Sequence, residues 1–168
     1  MTKQVVVVND TNIFIDLIKI DLLDALFELN IEVWTVDVIL AELSPSNGQQ
    51  KDVAQYEGHG LHVERYENVL PIITYQKGLS PGLSFQDCAV LYCAKEKGFV
   101  LLTGDAKLRR TARGEQVEVR GIFYLLDQMV EQDVRSRAVC LERLNLLETI
   151  NKRLPKEAIE ERRRRWSE

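Results

Sequence analysis

Four acidic side chains occupy positions where the chain is expected to leave a strand or to enter or leave a helix. Asp10 and Asp105 each follow an apolar, strand-like segment. Asp87 lies in the first turn of a predicted helix, and Glu42 lies near the end of another. Because ligands bind beyond the carboxyl ends of the strands in an open parallel sheet, we expect these acids to converge there.

Such a group of acids predicts a metal centre. Clustered carboxylates repel one another, and their pKa values rise unless a cation lies between them. Mg²⁺ and Mn²⁺ prefer carboxylate oxygens and water. One or two such ions can generate a hydroxide and stabilise the oxygens of a phosphoryl displacement. The chemistry expected at this edge is therefore metal-assisted phosphodiester hydrolysis.

Each acid also has a local structural interpretation. Asp10 and Asp105 could each cap the helix that follows, and Ser84-x-x-Asp87 resembles a capping box with a shorter acid. Glu42 could be an exposed helix acid, but it comes late in its helix, where a negative charge opposes the helix dipole. Capping therefore leaves Glu42 unexplained.

Other catalytic motifs are absent from the sequence. It contains no phosphate-binding P-loop, no dinucleotide-binding glycine motif and no G-x-S-x-G nucleophile turn. His59 and His62 could bind a metal, but such a pair more often lies on the surface. Cys88 and Cys93 do not have a zinc-ligand spacing, and with Cys140 they are expected to be buried apolar residues.

The elements that must position these acids alternate between strands and helices. Strands are expected at residues 4–8, 32–36, 61–66, 99–103 and 117–119. Asp21 is expected to cap a helix at 22–29, and Asp37 to cap a helix that runs to about Leu43. Gly98 is expected to close the helix that Ser84 opens. This pattern predicts an α/β fold with a parallel sheet of about four or five strands, followed by a helical C-terminal extension.

Composition limits the partners. The chain has 168 residues, 29% of them charged, and a net charge of −4, which is typical of one soluble domain. Residues 151–168 carry +3 and the remainder −7, so an acidic body would need cations to hold a polyanion. Without a signal peptide or an apolar segment long enough to span a membrane, the sequence favours a cytoplasmic location.

Three segments together resemble the PIN domain family. They are V-V-V-V-N-D-T-N-I-F-I-D-L, D-V-I-L-A-E-L and F-Q-D-C-A-V-L-Y-C-A-K-E-K-G-F-V-L-L-T-G-D-A-K-L-R, and the resemblance covers about residues 4–125. It implies a three-layer α/β/α domain, here residues 1–133, with residues 134–168 as the extension. It also implies a metal-dependent endoribonuclease that uses Mg²⁺ or Mn²⁺. Many small bacterial members of the family are toxins that pair with an antitoxin protein and form homodimers.

The resemblance assigns roles to named residues. The metal-site acids would be Asp10, Glu42, Asp87 and Asp105. Asn12 and Thr103 would support them by hydrogen bonds. The basic residues after the last acid could contact RNA phosphates, or they could simply decorate an exposed helix; they are Lys107, Arg109, Arg110 and Arg113.

The sequence departs from the family pattern in two places, and two other functions stay open. Ala106, Lys107 and Leu108 stand where a further acid often follows the T-x-D motif, and the helical extension exceeds the compact toxin core. A phosphatase with Asp10 as nucleophile would want a second acid at Asn12. A binding or scaffold module with the same fold would need no reaction at all.

Overall fold

The computed structural model describes residues 5–168, which contain one five-stranded parallel sheet. The strands are β1 Val5–Asn9, β2 Ile31–Val36, β3 Leu61–Glu64, β4 Val100–Leu102 and β5 Val119–Arg120. Their order in the sheet is β3-β2-β1-β4-β5, and every neighbouring pair is parallel. The predicted α/β fold and strand number are confirmed, while Gln4 lies outside the described residues.

Helices connect the strands and cover the sheet. They are α1 Thr11–Lys19, α2 Leu23–Glu28, α3 Asp37–Glu42, α4 Gln49–Ala54, α5 Leu70–Lys77, α6 Phe85–Lys97, α7 Ala106–Gly114, α8 Ile122–Glu131, α9 Arg137–Ile150 and α10 Lys156–Trp166. Helix α6 ends as predicted at Gly98, whose φ of 71° is the left-handed conformation that glycine adopts easily.

The strand order creates a switch point beside β1. The chain moves from β1 to β2 and β3 on one side, then crosses to β4 and β5 on the other side. Val8 of β1 is in register with Trp34 on one side and with Leu101 on the other. The carboxyl ends of β1 and β4 therefore lie side by side, where an open α/β sheet binds its ligands.

The predicted cap at Asp37 is wrong by one residue, because Val36 is the N-cap of α3 and Asp37 is its first residue. The predicted cap at Asp21 is also wrong. Asp21 has a φ of 57°, and the residue that precedes α2 as its N-cap is Leu22. The amides of Asp21 and Leu22 donate to the carbonyls of Ile18 and Leu17, at 3.1 and 2.9 Å. This is a Schellman ending of α1, with Asp21 in the left-handed position, so Asp21 ends one helix instead of starting the next.

The C-terminal helices pack on the rest of the chain. Leu144 and Leu147 of α9 and Ile159 and Trp166 of α10 belong to the same hydrophobic core as the sheet. The three cysteines are free and buried, as predicted. No helix within residues 5–168 is both long enough and apolar enough to cross a membrane.

Candidate active site

Asp10 lies at the centre of the carboxyl edge and is almost fully buried. Its amide donates to the Leu102 carbonyl at 3.0 Å, which extends the pairing of β1 with β4 by one residue. Its side chain is 4% exposed, and both of its oxygens accept hydrogen bonds. Oδ1 accepts from the Thr11 amide and Oδ2 from the Thr103 hydroxyl, each at 2.8 Å.

Thr103 links Asp10 to Asp105. Its hydroxyl donates to Asp10 and accepts from the Asp105 amide at 3.1 Å. Asp105 is the N-cap of α7, and its Oδ1 accepts from the Leu108 amide at 2.8 Å. Because Thr103 is fully buried and its hydroxyl is used in both directions, it fixes the spacing of the two acids.

Asp87 enters the site from the first turn of α6. It forms a complete capping box with Ser84: the Asp87 amide donates to Ser84 Oγ at 3.0 Å, and the Ser84 amide donates to Asp87 Oδ2 at 3.2 Å. The structural and the functional interpretations of Asp87 are therefore compatible, since capping occupies one carboxylate oxygen and leaves the other available.

Glu42 reaches the site from the last residue of α3. It is exposed, and its Oε2 accepts from the Thr11 hydroxyl at 2.7 Å. Thr11 is buried and contacts two of the acids, a role that the sequence did not reveal. Asn12, the neighbouring residue expected to support the acids, is exposed, and its side-chain amide has no hydrogen-bond partner within residues 5–168.

Electrostatics show that the acids act on one another. Burial is the main cause that raises the pKa of Asp10 to about 6, with the charges of Asp87 and Glu42 adding to it and the hydrogen bonds from Thr103 and Thr11 opposing it. Burial also raises the pKa of Asp87, and the charges of Asp105 and Glu42 add to that shift. The structure thus brings together all four predicted acids from four separate segments.

The chemistry of this donor set fits a hard divalent cation. Oxygens Oδ1 of Asp87, Oδ2 of Asp105 and Oε1 of Glu42 accept no hydrogen bond from the described part of the chain. A cation would stabilise the charged form of Asp10, whose pKa is raised mainly by burial and further by the charges of Asp87 and Glu42. As the side chains stand, however, no three His, Cys, Asp or Glu residues among 5–168 are close enough to hold one ion.

The basic residues of α7 divide into two pairs. Lys107 donates from Nζ to the Pro81 carbonyl, and Arg109 donates from Nη1 to the Thr103 carbonyl at 3.1 Å. Arg110 and Arg113 are exposed. Only the second pair is therefore presented to solvent in the way that a contact with RNA phosphates requires.

Asn9, next to Asp10, is a further buried polar residue that was not predicted from the sequence. It is fully buried, and neither atom of its side-chain amide has a hydrogen-bond partner among the described residues. Buried amides are rarely left in this state. Because successive side chains of a strand point to opposite faces, Asn9 and Asp10 lie on opposite sides of the sheet.

Comparison with known proteins identifies the family. The family profile described as PIN domain (DUF3368) matches residues 6–168. The fold is similar to that of PAE2754 from Pyrobaculum aerophilum, with 15% identity, a TM-score of 0.56 and coverage of 77% of this chain and 99% of that one.

Two further solved structures are less similar. The PilT N-terminus domain protein SSO1118 from Sulfolobus solfataricus has 15% identity, a TM-score of 0.48 and coverage of 75% of this chain and 94% of that one. VapBC2 from Rickettsia felis, bound to a promoter DNA fragment, has 19% identity, a TM-score of 0.47 and coverage of 69% and 98%. No curated protein matches the chain. Since the family profile spans almost every residue, this chain belongs to the PIN domain family.

Proposed function

We propose that this PIN domain is a Mg²⁺- or Mn²⁺-dependent endoribonuclease whose site is formed by Asp10, Glu42, Asp87 and Asp105. PIN domains are typically nucleases that use divalent metals. The observation that carries the proposal is the convergence of these carboxylates at the switch point of the sheet, where mutual repulsion contributes to the raised pKa values of Asp10 and Asp87.

Each acid has a distinct part in this proposal. Asp10 and Asp105, which Thr103 links by hydrogen bonds, would hold the metal directly. Asp87 would hold it directly or through water. Glu42 would hold a water beside the metal and would help to orient the attacking water. A bound metal supplies a water of lowered pKa and stabilises the oxygens of the phosphodiester.

The distribution of charge is consistent with an RNA substrate held through cations. The body of the protein is acidic, so the phosphate backbone approaches this edge only when a metal offsets the carboxylates. Arg110 and Arg113, both exposed on α7, are the basic side chains that we assign to RNA phosphates.

Calorimetric titration of Mn²⁺ tests the site independently of the choice of RNA. We expect saturable binding to the wild type and none to Asp10→Asn or Asp105→Asn, because each substitution removes a ligand charge. Asp133→Asn is the matched control, since Asp133 is exposed on the connection between α8 and α9. Retained binding in both site variants would refute the assignment.

Cleavage is the second stage of this experiment. Wild-type protein and the Asp133→Asn control should cleave single-stranded or structured RNA with Mn²⁺, whereas both site variants should be inactive but folded. If wild type binds no Mn²⁺, the binding-module interpretation replaces the nuclease. The phosphatase alternative lacks the second acid that it would need, because position 12 is Asn.

The narrower biological role stays a prediction from the resemblance. A toxin would have an antitoxin protein as its partner, and the domain would form a homodimer. Co-expression with a small neighbouring reading frame should relieve growth arrest if the protein is a toxin. Light scattering of the purified chain measures whether it is a dimer.

A further inference from the structure

Arg109 of α7 turns back towards the acidic site. Its Nη1 donates to the carbonyl of Thr103, the residue whose hydroxyl joins Asp10 to Asp105. The guanidinium also lies against Gly121, where an added Cβ would come within 2.8 Å of Nη1. Gly121, which has no side chain, therefore makes room for the guanidinium of Arg109.

Lys107 makes a contact of the same kind at the other side of the helix. Its ammonium donates to the carbonyl of Pro81 and packs on Gly82, where any Cβ would collide with it. Pro81 and Gly82 lie just before Ser84, which is the N-cap of α6 and forms the capping box with Asp87. Lys107 thus fastens the start of α7 to the segment that leads into Asp87.

Neither residue is engaged with a carboxylate. Within residues 5–168, Lys107 and Arg109 form no salt bridge, and each uses a backbone carbonyl as its partner. Arg109 is half-buried, which limits its access to a substrate. Both contacts join α7, whose N-cap is Asp105, to the segments that carry or hold the other acids.

We propose that Lys107 and Arg109 are positioning residues that hold Asp105 at its spacing from Asp10 and Asp87, and that they do not contact RNA phosphates. This inference rests on the proposed function, because it concerns the same metal site. It divides the basic residues of α7 into two that hold the site together and two, Arg110 and Arg113, that are exposed to solvent.

The direction in which Mn²⁺ affinity changes when a positive charge is removed distinguishes a positioning role from a simple electrostatic one. Removing a cation near a metal site should leave the affinity unchanged or increase it, since repulsion decreases. If Arg109 instead positions the ligands, Arg109→Gln should weaken Mn²⁺ binding about 10-fold, as loss of a supporting hydrogen bond does at other metal sites. Arg110→Gln, the same charge change one residue away, is the matched control.

Gly121→Ala tests the same contact without any change of charge. Gly121 has a φ of −126°, which alanine adopts without strain, and the new Cβ would displace only the end of a flexible side chain. We expect the same weakening of Mn²⁺ binding as in Arg109→Gln. The double variant should be no weaker than either single variant, because both remove one contact.

Lys107→Gln should also weaken Mn²⁺ binding, with melting temperatures showing that every variant is folded. Mn²⁺ binding by Arg109→Gln that equals or exceeds that of Arg110→Gln overturns the positioning role, as does normal binding by Gly121→Ala. Arg109→Gln that binds Mn²⁺ normally but loses RNA cleavage identifies a phosphate contact instead. Absence of Mn²⁺ binding by wild type overturns the proposed function, and this inference with it.

Discussion

Two charged regions of the molecule differ in how their charges are paired. In the C-terminal region, Arg162 pairs with Asp127 at 2.7 Å, and Arg163 pairs with Glu148 at 2.6 Å. At the carboxyl edge of the sheet, the four acids face one another, and none of them forms a salt bridge within residues 5–168. Ion pairs stabilise the packing of helices against one another, whereas a cluster of like charges without ion pairs favours the binding of a cation.

The comparison also changes the interpretation of the arginine-rich tail. Four consecutive arginines, at positions 162–165, would ordinarily be assigned to a solvated helix face. Instead, Arg165 joins Arg162 on Asp127, so one acid of α8 holds two arginines of α10. The number of charged residues in a segment of sequence therefore does not distinguish the two regions. They differ in whether those residues have ion-pair partners in the folded chain.

The largest effect that we expect is on the pH dependence of stability at the acidic edge. Burial and repulsion raise the pKa of Asp10 from its ordinary value of 3.8 to about 6, so the folded state binds more protons than the unfolded state between these values. The free energy of unfolding should fall by ~3 kcal/mol as the pH rises through that window, and then level off.

Chemical denaturation of the metal-free protein at pH 4 and pH 7.5 measures this effect. Asp10→Asn should be more stable than wild type at pH 7.5, and its advantage should shrink by ~2.4 kcal/mol at pH 4, where the carboxyl of the unfolded chain is only partly protonated. Mn²⁺ should stabilise wild type but not the variant. If Asp10→Asn were more stable than wild type by the same amount at both pH values, the raised pKa of Asp10 would be contradicted.

The second effect concerns the paired region. Asp127→Ala leaves Arg162, whose side chain is 13% exposed, without its carboxylate, so the free energy of unfolding should fall by ~2 kcal/mol. Glu142→Ala, which also removes an acid from a helix but at an exposed position of α9, is the control and should change little. Mn²⁺ affinity should be the same in both variants, and any loss of it in Asp127→Ala would show that the two regions are coupled.

Thr103→Val should have a smaller effect, confined to the acidic edge. The substitution keeps the shape of the side chain but removes the hydroxyl that binds Asp10 Oδ2 and the Asp105 amide. We expect Mn²⁺ affinity to fall about 10-fold, as for other groups that orient metal ligands. Thr103→Ser retains the hydroxyl and should restore most of the affinity in the same calorimetric titration.

The smallest effect is expected at Glu42. This side chain is exposed, and water already screens its charge, so Glu42→Gln should weaken Mn²⁺ binding by only about two- to fivefold. Cleavage should fall further than binding, because Glu42 is proposed to orient the attacking water. Equal losses in Mn²⁺ affinity and in kcat would reduce Glu42 to a purely electrostatic role.

The sequence was sufficient to predict the sheet and the acids for a shared physical reason. Apolar runs mark buried strands, and Asp10 and Asp105 were identified because they follow such runs. Asp87 and Glu42 were identified because they lie near the ends of predicted helices. Asp21 was misassigned because aspartate suits both an N-cap and a left-handed helix ending, and local sequence does not separate the two.

The supporting contacts could not be predicted in the same way. Thr11 meets Glu42 across 31 positions of sequence, so its role depends on how α1 and α3 pack. Arg109 and Lys107 bind backbone carbonyls, which every residue possesses and no sequence pattern marks. Side-chain chemistry shows which groups can react, whereas their orientation is decided by packing.

Three of the four acids also belong to helix starts, with Asp10 before α1, Asp87 in the capping box of α6 and Asp105 before α7. At the N-cap positions of Asp10 and Asp105, asparagine caps a helix about as well as aspartate does. The proposed metal binding and the capping of these helices are consequently separable by exchanging a single carboxylate oxygen for an amide nitrogen. Such an exchange at Asp10 or Asp105 would remove a charge from the proposed metal site and leave the start of the helix intact.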